Sequence, residues 1–295
     1  MKKINKEKQT LFTDAKADLC SADCSVKSPQ TCSDSYKLSY ADQEFLLRDE
    51  LRPLRLQLEL LKPEILLQEH NIHSTIVVFG STRITEPIVA KSLYENAVTL
   101  AANEVHNKVL QKNVKIAKRL MDKSIYYDMA KEFSAQISAI NGKTSKFRLV
   151  VVTGGGPGIM EAANRGAKEV GSPSVGLNIT LPHEQAPNSY ITPELCFQFH
   201  YFALRKMHFL LRAKALAVFP GGYGTLDELF DALTLIQTNK IEQMPVLLFG
   251  KSYWDKIINF EEMAEEGVIS EEDLSYFEFV ESAQQGWSVI NEFYK

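Results

Sequence analysis

The feature that most constrains this chain is a recurring punctuation. A short run of β-branched and aliphatic residues ends at a turn, often rich in glycine, and helix-like periodicity usually follows. It first appears at Ser74-Thr75-Ile76-Val77-Val78-Phe79, which runs into Gly80-Ser81-Thr82-Arg83. Phe147 to Thr153 leads into Gly154-Gly155-Gly156-Pro157-Gly158, Ser174 to Ile179 into Leu181-Pro182-His183, and Ala215 to Phe219 into Pro220-Gly221-Gly222-Tyr223-Gly224; Val246 to Phe249 ends at Gly250. Runs with so little polar alternation suit strands buried on both faces. After the fourth run, Leu226, Leu229, Phe230, Leu233 and Ile236 share one helical face. The alternation predicts an α/β fold: a Rossmann-like, doubly wound parallel sheet with helices on both faces and ligands bound beyond the carboxyl ends of the strands. Phe277 to Val280 is expected to add an edge strand before a final helix near Trp287 to Phe293.

This pattern assigns residues 74–295 to one Rossmann-like domain. The stretch from about 91 to 141, with Tyr94, Leu100, Val109, Ile116, Leu120, Tyr127 and Phe133, reads as helices inserted between the first two strands. Residues 39–73 read as an amphipathic helical extension in which Pro53 and Pro63 should break the chain into two or three short helices. Residues 1–38 are polar and serine-rich and are expected to form a poorly ordered arm. Three of the four cysteines, Cys20, Cys24 and Cys32, lie in it, and Cys196 is remote. Their spacing matches no zinc site, so reduced thiols and no metal are expected.

Charge narrows the partners. Lys plus Arg number 33 against 37 Asp plus Glu, a net charge of −4, so no global positive field draws the chain to nucleic acid or to a membrane surface. No apolar run approaches the roughly 20 residues that span a bilayer, and the basic start lacks a signal-peptide core. The expectation is a cytoplasmic protein.

The glycine turns carry the chemical signal. Glycine lets backbone amides approach an anion, and the helix that follows adds its positive end. Neither Gly154-Gly155-Gly156-Pro157-Gly158-Ile159 nor Gly222-Tyr223-Gly224-Thr225-Leu226-Asp227 completes a dinucleotide fingerprint, and no P-loop occurs. Thr225-Leu226-Asp227-Glu228 has two readings: a capping box with Thr225 as N-cap and Glu228 three residues on, or carboxylates within reach of a sugar whose phosphate sits at the helix start. Arg205, Lys206 and Arg212 stand in an otherwise aromatic and aliphatic segment; either they face an anion from one helical face or their stems cover apolar surface. His183-Glu184 lacks the second histidine of a zinc protease motif, because Pro187 stands there, and no Gly-x-Ser-x-Gly elbow is present.

Pro220-Gly221-Gly222-Tyr223-Gly224-Thr225-Leu226-Asp227-Glu228 resembles the P-G-G-x-G-T-x-x-E motif of the LOG (Lonely Guy) family, nucleoside 5′-monophosphate phosphoribohydrolases formerly labelled lysine decarboxylases. Arg205-Lys206 resembles that family's Arg-Lys pair. Phe79-Gly80-Ser81-Thr82-Arg83 and Gly154-Gly155-Gly156-Pro157-Gly158-Ile159-Met160-Glu161 resemble its phosphate-side turns. The likeness extends over about residues 74 to 282 and is nearer the longer bacterial members than the short plant form.

The resemblance implies that Arg205 and Glu228 are the catalytic pair. It implies that Gly221, Gly222, Gly224 and Thr225 hold a 5′-phosphate, and that Gly80, Ser81, Arg83, Gly154, Gly155, Gly156, Gly158, Lys206 and Asp227 complete the substrate site. The implied substrate is AMP, a cytokinin riboside monophosphate or another nucleoside monophosphate. A homodimer or larger homo-oligomer is implied, and no cofactor. The alternative is a non-catalytic nucleotide sensor or carrier. Amino-acid decarboxylation would need pyridoxal phosphate on a lysine, and no lysine stands in a context that supports it.

Overall fold

The computed structural model describes residues 14–23, 26–140, 148–182 and 186–295. Cys24, Phe147 and the His183-Glu184 pair lie outside the described residues. Contacts divide the chain into two units, 1–59 and 60–295.

The first unit holds α1 (Ala15–Asp23), α2 (Gln43–Leu46) and the opening turns of α3 (Arg52–Glu69). Asp42 caps α2 by accepting from the Phe45 amide. Tyr40 donates its hydroxyl hydrogen to the Ala15 carbonyl at 2.8 Å, and Arg55 Nη1 donates to the carbonyls of Leu46 and Arg48.

The expectation that Pro63 would break the extension is corrected: α3 runs unbroken from Arg52 to Glu69 with Pro63 inside it. Pro53 sits in its first turn, where no intrahelical N–H bond is lost. Pro63 and Leu67 are buried, and that packing outweighs the local cost of a helix-interior proline.

The second unit is built on seven parallel strands: β1 (Ser74–Phe79), β2 (Leu149–Thr153), β3 (Ser174–Ile179), β4 (Cys196–Phe199), β5 (Ala213–Val218), β6 (Val246–Phe249) and β7 (Glu278–Val280). Their order is β4-β3-β2-β1-β5-β6-β7. All are parallel neighbours, with Val77 opposite Val152 on one side and Leu216 on the other. The chain therefore winds outward from β1 to β4, returns, and winds the other way from β5. This puts the topological switch between β1 and β5.

Three helices intervene before β2: α4 (Pro87–Asn103), α5 (Lys108–Asp122) and α6 (Ile125–Ile140). Beyond β2 come α7 (Ile159–Glu169), α8 (Phe202–Leu210), α9 (Tyr223–Gln237), α10 (Lys251–Ile257), α11 (Phe260–Glu265) and α12 (Ala283–Phe293). One face of the sheet (Val77, Phe79, Leu216, Val218) packs on α8, α9, α10 and the end of α3. The other (Ile76, Val78, Ala215, Ala217) packs on α6, α7 and α12, which makes the sheet doubly wound as its sequence pattern predicts.

β4 went unanticipated. It is a four-residue edge strand in which Phe197 and Phe199 are buried while Gln198 faces out. Arg212 is also corrected, because α8 ends at Leu210 and Arg212 does not share its face with Arg205. Its guanidinium instead pairs with Glu64 of α3, and its Nε donates to the Ile72 carbonyl at 3.1 Å.

Candidate active site

The site lies at the switch point, where the ends of β1, β2 and β5 meet. Phe219 anchors it. This residue is fully buried, stacks on Phe249 at 4.1 Å, and donates its N–H to the Phe79 carbonyl at 2.8 Å. Past it, the Ser81 amide donates to the Pro220 carbonyl at 3.0 Å, so the turns after β1 and β5 are joined. The first turn also meets the start of α7, since the Ile159 amide donates to the Ser81 carbonyl.

Between these turns lies a cavity of about 310 Å3. The turn after β1 contributes Gly80, Ser81, Thr82 and Arg83; the segment after β2 contributes Gly154 and Met160; α8 contributes Phe202 and Arg205; and the start of α9 contributes Gly222, Gly224, Thr225, Asp227 and Glu228. A groove of about 630 Å3 runs beside it, lined by Lys206, Met207, Leu211 and Met244 among others. That groove is larger, but it holds neither Arg205 nor Glu228. The chemistry converges in the smaller one.

α9 starts three residues earlier than its capping pattern suggests. Its N-cap is Gly222, no side chain caps it, and Tyr223 is its first residue. The capping-box reading of Thr225 and Glu228 is thereby corrected: Glu228 lies in the second turn, and the Thr225 hydroxyl packs over Gly221. Gly222 has the extended backbone (φ −100°, ψ −152°) of an N-cap.

The carbonyl groups of this turn are committed. Pro220 accepts from Ser81, Gly221 accepts from the Tyr253 hydroxyl at 2.5 Å, and Gly222 accepts from the Leu226 amide. The amides of Gly222, Tyr223 and Gly224 have no acceptor among the described residues, as expected for a helix start, and they carry its positive end. A Cβ added at Gly222 or Gly224 would meet nothing within 4 Å.

Glu228 is the unusual side chain. It is 9% exposed and accepts no hydrogen bond from the described residues. Burial pushes its carboxyl up to about 7, against a counter-pull from Arg205 and Lys206. Arg205 is fixed from three sides: Nε donates to the Leu177 carbonyl of β3 at 2.8 Å, the guanidinium lies 5.2 Å from the Phe209 ring centre, and it rests on Gly154. A Cβ at Gly154 would sit 2.5 Å from Arg205 Nη2 and 2.9 Å from the Met160 sulfur. Arg83 is exposed on the opposite turn and forms no ion pair among the described residues.

Of the sequence-derived site residues, the cavity wall brings together Gly80, Ser81, Arg83, Gly154, Arg205, Gly222, Gly224, Thr225, Asp227 and Glu228. Gly155, Gly156, Gly158 and Gly221 lie behind that wall. Lys206 lines the neighbouring groove and donates to Asp227 at 2.7 Å. Phe202, Met160, Thr82 and Tyr253 were missed. Met160 and Thr82 sit inside quoted turns, and the signal that would have singled out Met160 is an apolar side chain at a glycine turn.

A glycine-lined helix start at a topological switch, with two arginines and a buried carboxylate around one cavity, is an arrangement whose charge suits an anion. Residues 160–290 match the family model described as "Possible lysine decarboxylase", so this part of the chain is similar to that family. The matched span contains Arg205 and the whole Pro220-to-Glu228 run, but neither of the first two glycine turns.

Among solved structures, the structural-genomics target TM1055 is similar at 16% identity, covering 74% of this chain and 99% of its own, with a TM-score of 0.41. A molybdenum cofactor carrier protein from Chlamydomonas reinhardtii is similar at 16% identity, covering 75% of this chain and 99% of its own, with a TM-score of 0.41. No curated protein matches in sequence. Among the described residues, no helix is long and apolar enough to cross a membrane, and no cluster of His, Cys, Asp or Glu could hold a metal ion.

Proposed function

We propose that this protein hydrolyses the N-glycosidic bond of a nucleoside 5′-monophosphate, AMP or a cytokinin riboside monophosphate, to free base and ribose 5-phosphate. The observation that carries the reading is Glu228: a buried carboxylate one helical turn beyond an uncommitted set of amides, facing the same cavity as Arg205.

The phosphate binds at the start of α9, where the Gly222 and Gly224 amides and the helix end favour negative charge. Arg83, with no acidic partner among the described residues, adds a second cation. Bound this way, the ribose comes within reach of Glu228. Cleavage of the glycosidic bond builds positive charge on the ribose ring, which the Glu228 carboxylate stabilises while it orients the attacking water. Arg205 orients the nucleotide. Because the Glu228 carboxyl titrates at about 7, turnover should climb through that pH as the carboxylate forms.

The decarboxylase label of the family model implies pyridoxal phosphate on a lysine, and the residues do not fit it. No lysine lines the cavity, and Lys206 is bound to Asp227.

The test is product chromatography after incubation with AMP, GMP, CMP and isopentenyl-adenosine monophosphate. Free base with ribose 5-phosphate supports the reading, and the ranking of the four names the base. Binding with every nucleotide returned intact would instead make the protein a sensor or carrier. The homodimer implied by the family resemblance belongs to the same proposal, and its check is the mass in solution by light scattering.

A further inference from the structure

The turn after β2 is held from behind by a polar network that the phosphoribohydrolase reading does not use. Thr153 and Asn164 are fully buried. The Gly155 amide donates to Thr153 Oγ1 at 3.0 Å, and Thr153 in turn donates to Asn164 Oδ1 at 2.7 Å. Asn164 Nδ2 donates to Ser174 Oγ at 3.0 Å.

Asn188, in the connection between β3 and β4, closes the network. Its Nδ2 group shares its two hydrogens among the carbonyls of Gly155 (3.1 Å) and Gly156 (3.0 Å) and Asn164 Oδ1 (3.0 Å). Its backbone amide also donates to the Gly155 carbonyl at 2.9 Å. The amides of Gly156 and Gly158 donate to no acceptor among the described residues. The Gly155 and Gly156 carbonyls are thus engaged by the protein, as are the carbonyls of the turn before α9.

Asn188 is not part of the cavity wall, and the carbonyls it binds point to it. Gly155 holds φ at +77°, so the backbone is already in the left-handed region that this arrangement requires. Gly154, next in line, carries the Arg205 guanidinium.

We infer that Asn188, with Asn164 behind it, is a positioning residue of the nucleotide site: by holding the Gly155 and Gly156 carbonyls it fixes the turn whose Gly154 carries the Arg205 guanidinium. This rests on the reading of the cavity as a nucleoside monophosphate site. Asn188 touches no substrate; it acts through the turn.

The experiment compares wild type with Asn188→Ala and Asn188→Ser, measuring KM and kcat for AMP, ribose 5-phosphate affinity by calorimetry, and melting temperature. Loss of ground-state binding raises KM while kcat holds. Asn188→Ala should raise KM and weaken ribose 5-phosphate binding by about tenfold, with kcat within about threefold of wild type. Asn188→Ser, which keeps one donor, should fall between. A merely structural role would lower the melting temperature and the active fraction, so that apparent kcat falls at unchanged KM; that pattern, or wild-type constants in both variants, overturns the inference. If wild type binds AMP but releases no base, the hydrolase reading fails and the calorimetric arm alone decides the role of Asn188. If wild type binds neither AMP nor ribose 5-phosphate, both fall.

Discussion

The two glycine turns of this molecule look alike in sequence and are used differently. In the turn after β2, the chain itself fills the space that glycine leaves: a Cβ at Gly155 would strike Asn178, one at Gly158 would strike the Ser81 carbonyl, and one at Gly154 would strike Arg205. In the turn after β5, Gly222 and Gly224 face open space. The first turn needs glycine to fold; the second needs it at Gly221, under Thr225, but at Gly222 and Gly224 it can accept a side chain without a clash and keeps glycine for something outside the chain. Arg205 belongs to both, because it rests on the first and faces the same cavity as the second.

The largest effect that would sharpen this contrast is expected at Arg205. Removal of one preorganised donor from a charged transition state typically costs about 10²- to 10³-fold in turnover, so Arg205→Ala should lose that much. Arg205→Lys should not restore it, since a lysine cannot hold the Leu177 carbonyl and the nucleotide with one planar group. Steady-state kinetics check both.

Next comes Gly158→Ala, whose positive φ (+71°) and contact with the Ser81 backbone predict a loss of about 3 kcal/mol in urea unfolding. If this variant is as stable as wild type, the account of the first turn is broken.

Glu228→Gln should be stabilising at alkaline pH. The Glu228 carboxyl titrates at about 7 in the fold against an ordinary 4.5, so what it adds to stability is fully present below 4.5 and is lost as pH rises through 7. Above that pH the fold carries a buried charge. The variant removes it, and unfolding at pH 8 should show a gain of about 2 kcal/mol that vanishes near pH 4.

The smallest effect is expected at Gly224→Ala. It should leave melting unchanged or slightly raised, because alanine is the better helix former, while KM for the nucleotide rises about tenfold. A stability loss there would erase the difference between the two turns.

Much of this was legible in the sequence, for reasons that can be named. Strands buried on both faces announce themselves as unbroken β-branched runs, so β1, β2, β3, β5 and β6 could be read directly. β4 could not, because four residues ending in Phe197-Gln198-Phe199 are too short to establish a period. Pro63 misled because a proline's local cost says nothing about the burial that offsets it. Thr225 and Glu228 have capping-box spacing, but the helix starts at Tyr223 and already includes Thr225, which cannot then be its N-cap.

The site divides in the same way. Residues on one contiguous motif, such as Gly222, Gly224 and Glu228, were visible together. Pairings between distant segments were not: Lys206 with Asp227, Asn188 with Gly155, and Tyr253 with Gly221 exist only once the sheet has brought their turns together.

The most direct test of the central claim is turnover of AMP by wild type and by Glu228→Gln, measured with AMP affinity on the same preparations. The account predicts that the variant releases base about 10²- to 10⁴-fold more slowly while AMP binds within a few-fold of wild type. Equal turnover in the two proteins would contradict it and leave Glu228 as a buried carboxylate without a catalytic role.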